Sequence, residues 1–335
     1  MSLDTKSQRH AAEPGRFTVA VLLATYNGEA FLEQQIRSLA QNETKFTLHW
    51  IDDHSTDNTR DCLRLSTGRA GIDIVEWHRQ EHEGVPNAFF WLLENVEADI
   101  YLFCDQDDIW EPGKIDAAVA DLSGDLDTPV LSFTDPWLFR DQAPGELYRL
   151  SQVRGSSDRT ALLPSRLFMT EAAPGHTQSF TRPLRDLFLA HKDIARSSAF
   201  MHDVWIYGLA TYMGRIRLLT NSPTTRHRVH CTNATGGLSS WRGTGCGYIT
   251  VSQRQHKALR KLLARHATGL LEALKTLPLG PKSAEIREIA RLVSSLDRRQ
   301  SLPTLARMLS GSMFWPNIRL ALGLATSCLC RDARE

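Results

Sequence analysis

Three carboxylates stand within four residues at Asp105-Gln106-Asp107-Asp108, directly after the strand-like run from Asp99 to Cys104. Charges of one sign packed this closely repel one another unless a cation offsets them. Alternate carboxylates such as Asp105 and Asp107 suit a hard divalent cation, Mg²⁺ or Mn²⁺, which takes oxygen ligands and bridges to substrate phosphates. A D-x-D triplet alone is common and says little, but three other features agree with it. An acidic turn at Asp52-Asp53 closes a second strand-like run, His202-Asp203 opens a helical stretch, and Arg228 and His230 lie downstream. Together they offer metal ligands, a carboxylate base and cations for a phosphate. Ser55, Thr56 and Asp57 have a plainer use as turn and helix-cap residues.

These groups need elements that bring them to one place. Phe17 to Thr25 is a continuous apolar, β-branched run of the kind buried on both faces in a parallel α/β sheet. Tyr26-Asn27-Gly28 breaks it, and Phe31, Leu32, Ile36 and Leu39 then recur at helical spacing. Strands are predicted at 47–51, 72–77, 99–104 and 130–134, and helices at 58–65 and 86–96. This alternation predicts a doubly wound α/β sheet. In such sheets ligands bind outside the carboxyl ends of the strands, where both acidic clusters fall. Residues 140–165 read as a loop or a loop-and-helix insertion. Pro174-Gly175-His176-Thr177 precedes a further strand and a helix ending near His191. A helix from His202 to Met213 and a strand at 216–219 follow. Beyond Gly247 the pattern becomes helical, with Leu259, Leu262 and Leu263 and then Ile286, Ile289, Leu292, Val293 and Leu296 at helical spacing. The expected divisions are a polar segment 1–16, an α/β domain 17–247 and a helical region 248–335.

Composition narrows the classes. The chain has 335 residues with 39 basic and 38 acidic side chains, which argues against a nucleic-acid coat protein. The neutrality is a sum of opposites: residues 1–250 carry 24 basic against 32 acidic side chains, and residues 251–335 carry 15 against 6. Six cysteines without a C-x-x-C pair make no disulfide scaffold and fit reduced thiols in a cytoplasmic compartment. The first sixteen residues hold no apolar run of a secretory signal, and no stretch reaches the roughly 18 apolar residues of a membrane span.

The ordered segments VLLATYNGEAFLEQQIRSL, IDDHSTDNT, EGVPNAFFWLL, YLFCDQDDIWEPGKI, PGHTQSFTR, HDVWIYGLA and RVHCTNATG carry a resemblance. Over roughly residues 17–237 the chain resembles family 2 glycosyltransferases of the GT-A fold, in particular the bacterial rhamnosyltransferase-like group. That resemblance implies a nucleotide-sugar donor, with Thr25, Tyr26 and Asn27 bordering the nucleotide and Asp53 accepting from the pyrimidine N–H. It implies Asp105 near ribose and metal, Asp107 as the main metal ligand, His230 completing the coordination, and Arg228 at the diphosphate. Asp203 corresponds to the general base of inverting members. Gly175, His176 and Thr177 fall on the acceptor side, with Trp110 and His202 joined to that pocket.

Each of these has a plainer alternative. Trp110 can pack rather than line a pocket, His202 can cap or orient its helix, and His227 can be a surface residue. His54 departs from the family pattern, which commonly has a small residue such as glycine there, and Pro86 stands where a polar residue is more usual. The implied reaction is metal-dependent transfer from a dTDP- or UDP-sugar to a bacterial surface-glycan or lipid-linked acceptor. Two other readings stand beside it. A nucleotidyltransferase would need a Gly-rich basic loop after the first strand, where Ala24-Thr25-Tyr26-Asn27 stands. A nucleotide-sugar-binding protein without activity would show a broken metal or base site. The basic helical region 251–335 is read either as helices packed on the domain or as a peripheral contact with anionic lipid at the inner face of the membrane.

Overall fold

A computed structural model of the chain describes residues 17–154, 173–199, 201–230, 253–276 and 287. The chain alternates in the manner expected: β1 (Val19–Thr25), α1 (Glu29–Leu39), β2 (Thr47–Asp52), α2 (Thr59–Ala70), β3 (Ile74–Trp77), α3 (Val85–Asn95), β4 (Ile100–Cys104). There follow β5 (Ile109–Trp110), α4 (Lys114–Leu122), β6 (Val130–Phe133), β7 (Trp137–Arg140), β8 (Ala143–Arg149) and α5 (Leu150–Arg154). A single 3₁₀ turn, Gly175–Thr177, leads into β9 (Gln178–Thr181), α6 (Arg182–Leu189), α7 (Lys192–Ser198) and α8 (His202–Met213). β10 (Arg215–Leu218), β11 (Thr225–Arg228) and a long α9 (Gln253–Thr276) complete the described elements.

Seven strands form the main sheet in the order β10-β6-β9-β4-β1-β2-β3. β1 pairs in parallel with both β2 and β4, which places the ends of the three strands side by side. β9 runs antiparallel between β4 and β6, so the sheet is mixed. Alternation along β1 explains the two cores. Val19, Val21 and Leu23 face one side with Leu32, Ile36 and Trp50. Ala20 and Leu22 face the other with Phe89, Phe103, Phe180 and Trp205. A strand buried on both faces carries no polar position until it ends, so chemistry is confined to the ends.

Four strands form a second, smaller sheet in the order β5-β11-β7-β8. The sequence pattern did not predict it. β7 and β8 form a hairpin that runs into the stretch 140–165 read as a loop or a loop-and-helix insertion, where α5 follows. β11 is Thr-Arg-His-Arg, whose polar side chains hide the strand from any hydrophobic-periodicity test. The rest of that stretch, 155–165, lies outside the described residues.

At the carboxyl end of β2, His54 adopts φ +66°, a left-handed conformation that glycine enters without cost. That accounts for the small residue usual in the family at this position. The C-terminal α9 is part of the domain rather than an appendage: Ala267, Leu270, Ala273 and Leu274 lie in the same core as Phe89 and Trp205. It approaches α7 so closely that a Cβ on Gly269 would stand 1.9 Å from Ser198 Oγ. The packed reading therefore holds for residues 264–274. Ile286, Ile289, Leu292, Val293, Leu296 and the basic stretch to residue 335 lie outside the described residues. Among the described residues no helix is long and apolar enough to cross a membrane.

Candidate active site

The ends of β1, β2 and β4 are tied by hydrogen bonds that spend polar side chains on backbone. Thr25 Oγ1 donates to Asp52 Oδ1 at 2.9 Å and accepts from Trp50 Nε1 at 2.9 Å. Gln106 caps the loop after β1, accepting from Tyr26 N–H at 2.9 Å and donating to the Tyr26 carbonyl at 3.0 Å. Asn27 N–H donates to Ser55 Oγ at 2.8 Å, and Thr56 N–H donates back to Asn27 Oδ1 at 2.8 Å. Ser55 and Asp52 likewise close the turn after β2. The turn reading of Ser55, Thr56 and Asp57 is the one observed.

Asp53 is 3% exposed. Its carboxylate accepts from Gly84 N–H at 2.9 Å and from Glu83 N–H at 3.3 Å, and it is paired with the buried Arg79 guanidinium. His82 Nδ1 lies 2.9 Å from Asp53 Oδ2, and the His82 ring sits 5.0 Å from Tyr26. Tyr26 is 46% exposed, a large aromatic left open beside a buried carboxylate. Arg79 and His82 went unremarked in the sequence because a lone Arg and a lone His after a short strand carry no pattern.

The second group surrounds the D-x-D-D segment. Asp107 Oδ2 lies 2.8 Å from His230 Nε2, and His230 stacks on Phe31 with 4.9 Å between centroids. Arg228 is engaged with protein partners. It is buried, donates from Nε to the Asp107 carbonyl at 2.9 Å, donates from Nη2 to Gln34 Oε1 at 2.6 Å, and pairs with Asp141. Its charge lies against the rings of Phe139 and Phe31. Arg228 thus holds the loop that carries Asp107.

Asp108, for which no role was assigned, is completely buried. Its Oδ1 lies 2.9 Å from His227 Nδ1 and accepts from Arg228 N–H at 3.1 Å, while Oδ2 lies 3.3 Å from His176 Nδ1. Burial works against its charge, but His176 and His227 outweigh that and hold the carboxyl down at about 2. Burial likewise opposes a charge on His227, and Asp108 overrides it, raising the imidazole to about 9. The imidazole that meets Asp108 and gains positive charge there is His227, which the sequence had suggested was a surface residue. Desolvation, then the charges of Asp108 and Asp107, push Asp105 well above the usual carboxylate range.

Asp203 sits in the first turn of α8. One carboxylate oxygen accepts from Gly175 N–H at 2.9 Å and the other from Val204 N–H at 2.8 Å. Burial raises its pKa to about 6, with those hydrogen bonds pulling the other way. His202 is sandwiched on Phe89 at 4.0 Å and edge-on to Phe103 at 4.7 Å, and burial lowers it to about 3, so it is neutral. Trp110 belongs to the core: it is 1% exposed, with the Lys114 ammonium 3.7 Å over its ring. Gly175, His176 and Thr177 are buried as well. None of these three turn residues or Trp110 lines an open wall.

Among the described residues, two donor sets could take a cation. Asp107 and His230 come together, with Asp105 two residues before Asp107; carboxylate and imidazole donors of this kind fit Mg²⁺ or Mn²⁺, with imidazole favouring the latter. The set whose three ligand atoms all lie within 4.8 Å of one another is Asp108, His176 and His227. There, however, the two rings lie parallel at 6° with centroids 4.6 Å apart. Asp108 already serves His227 and a backbone N–H, which suits a charged hydrogen-bond cluster.

Residues 20–136 match the family described as glycosyl transferase family 2. The dTDP-rhamnosyl transferase RfbG of Shigella flexneri is 25% identical over 258 residues, 75% of this chain and 85% of that protein. In structure the chain resembles the mannosyltransferase PcManGT of Pyrobaculum calidifontis, solved with GDP-Man and Mn²⁺. That likeness has a TM-score of 0.58 at 15% identity, over 94% of this chain and 87% of that one. S. aureus TarS 1–349, solved with UDP-GlcNAc, is similar at a TM-score of 0.52 and 15% identity, over 93% and 90% of the two chains. With the mixed sheet and its strand-end carboxylates, these likenesses give the chain the GT-A glycosyltransferase fold, and its residues 20–136 match glycosyl transferase family 2.

Proposed function

We propose that the chain moves a sugar from a nucleoside diphosphate sugar to an acceptor hydroxyl with inversion, Asp203 acting as general base. The observation that carries this reading is the state of Asp203. It is oriented by two backbone N–H groups, and burial raises its pKa to about 6. A base poised just below neutral pH is ionised in use and still accepts a proton as the acceptor oxygen attacks. Proton transfer of this type contributes about 10²–10⁴-fold to rate.

The donor enters over the ends of β1, β2 and β4. Asp53 and Tyr26 border the base of the nucleotide, and Thr25 and Asn27 shape the loop beneath it. Asp105, Asp107 and His230 would hold Mg²⁺ or Mn²⁺, which supplies charge neutralisation for a diphosphate leaving group. Arg228 keeps the Asp107 loop in place through its carbonyl hydrogen bond. Inversion follows from a single displacement on the face opposite the leaving group. A dTDP-sugar, rhamnose first, is the donor favoured by the 25% identical dTDP-rhamnosyl transferase. The acceptor is a bacterial surface-glycan or lipid-linked intermediate, met in the cytoplasm or at the inner face of the membrane.

The test is a transfer assay on the full chain with Mn²⁺ and a panel of dTDP-, UDP- and GDP-sugars. Transfer from dTDP-rhamnose with inverted anomeric configuration is expected. Retention of configuration would remove Asp203 from the role of base, and protection from thermal unfolding by every donor without turnover would favour a binding protein.

A further inference from the structure

The turn Gly175–Thr177 is assigned by resemblance to the acceptor side, yet its three residues are buried, with His176 only 3% exposed. What it touches points elsewhere. Gly175 N–H donates to Asp203 Oδ2. A Cβ at position 175 would stand 2.9 Å from His202 Nε2 and 3.3 Å from Asp203 Cβ, so the turn closes on α8 only as glycine. The next residue faces the opposite way: His176 Nδ1 lies 3.3 Å from Asp108 Oδ2, and its ring stacks on His227. Its carbonyl accepts from Thr225 Oγ1 at 2.9 Å, at the start of the strand that bears Arg228. Thr177 folds back on Pro174 through both N–H and Oγ1, which keeps the turn tight.

We propose that His176 is a positioning residue that couples the loop of Asp105 and Asp107 to the general base, through Asp108 on one side and Gly175 on the other. The inference rests on the transfer reading above. Two adjacent residues in one turn set the distance between the group that takes the proton and the loop that meets the diphosphate. Both are buried. Misplacement of about 1 Å between reacting groups costs on the order of 100-fold in rate. The role therefore differs from an acceptor contact, which would show in acceptor KM.

The experiment uses the full chain, Mn²⁺ and the donor that wild type turns over, with His176→Leu and His176→Asn. Leucine keeps bulk and removes Nδ1, whereas the asparagine amide puts an N–H near the place of Nδ1. Expected is a drop in kcat of about 30- to 300-fold for His176→Leu with acceptor KM within about threefold, and recovery to within about fivefold for His176→Asn. Three results overturn the inference: a raised acceptor KM at unchanged kcat, a kcat in both variants that merely follows the melting temperature, or stoichiometric zinc in wild type that His176→Leu loses. If His176→Leu does not fold, His176→Asn decides. Near-native kcat then supports coupling through the N–H, and a 30-fold loss at native melting temperature contradicts it. A wild type inactive with every donor would sink the transfer reading instead, a separate outcome.

Discussion

The two sheets hold the site by different physics. At the ends of β1, β2 and β4 the strands are mostly apolar, and loop side chains such as Gln106, Asn27 and Ser55 hydrogen-bond to neighbouring backbone. In the smaller sheet, β11 is polar, and Asp108, His227, Arg228 and Asp141 fix it by charge. Neutral hydrogen bonds net about 1 kcal/mol each, whereas breaking a buried charge pair costs about 3–5 kcal/mol. Apart from the buried Asp53–Arg79 pair, the donor side should therefore degrade gradually under substitution, and the side of β11 abruptly.

Predictions that would break or sharpen this contrast run from large to small. Asp203→Asn belongs to neither sheet's scaffold and should lower kcat by about 10²–10⁴-fold while dTDP affinity, read by calorimetry, stays near wild type. A matching loss of nucleotide binding would make Asp203 a donor ligand. Asp108→Asn leaves the half-buried His227 opposite a neutral amide and should cost about 3 kcal/mol in urea unfolding.

The same pair has a pH signature. His227 is raised to about 9 in the folded chain against an ordinary 6.5, so its contribution is complete below pH 6.5 and is lost as pH rises through 9. Lys114, lowered by burial to about 8, works in the opposite sense. The clean readout is thus the difference between wild type and His227→Gln. It should shrink by on the order of 3 kcal/mol between pH 6.5 and 10; a pH-independent difference would remove the charge from His227.

At the small end, Gln106→Ala removes two hydrogen bonds to Tyr26 and should cost about 1–2 kcal/mol, seen mainly as a higher donor KM. A loss as large as that of Asp108→Asn would erase the contrast between the two regions.

The same contrast explains what could be read in advance. β1 and β4 announce themselves by continuous apolar runs, and the acidic residues that follow β2 and β4 are where the α/β rule places ligands. The second sheet gives no such signal, because Thr-Arg-His-Arg in β11 is stabilised by partners more than a hundred residues away. Asp108 and His227 illustrate the gap: Asp108 had no separate role and His227 read as a surface residue, and only the fold brings the two together. Trp110 misleads in the opposite direction. Its place beside the D-x-D suggested a pocket wall, but β5 turns it under the sheet into the core.

The central claim is that Asp107 and His230 meet the cation and diphosphate while Asp203 faces the sugar. A crystal structure of the full chain with dTDP-rhamnose and Mn²⁺, the ion located by its anomalous scattering, tests it most directly. The account predicts Mn²⁺ against Asp107 and His230, with Asp203 on the open face of the anomeric carbon. Mn²⁺ seated among Asp108, His176 and His227, or Asp203 turned away from the sugar, would contradict it.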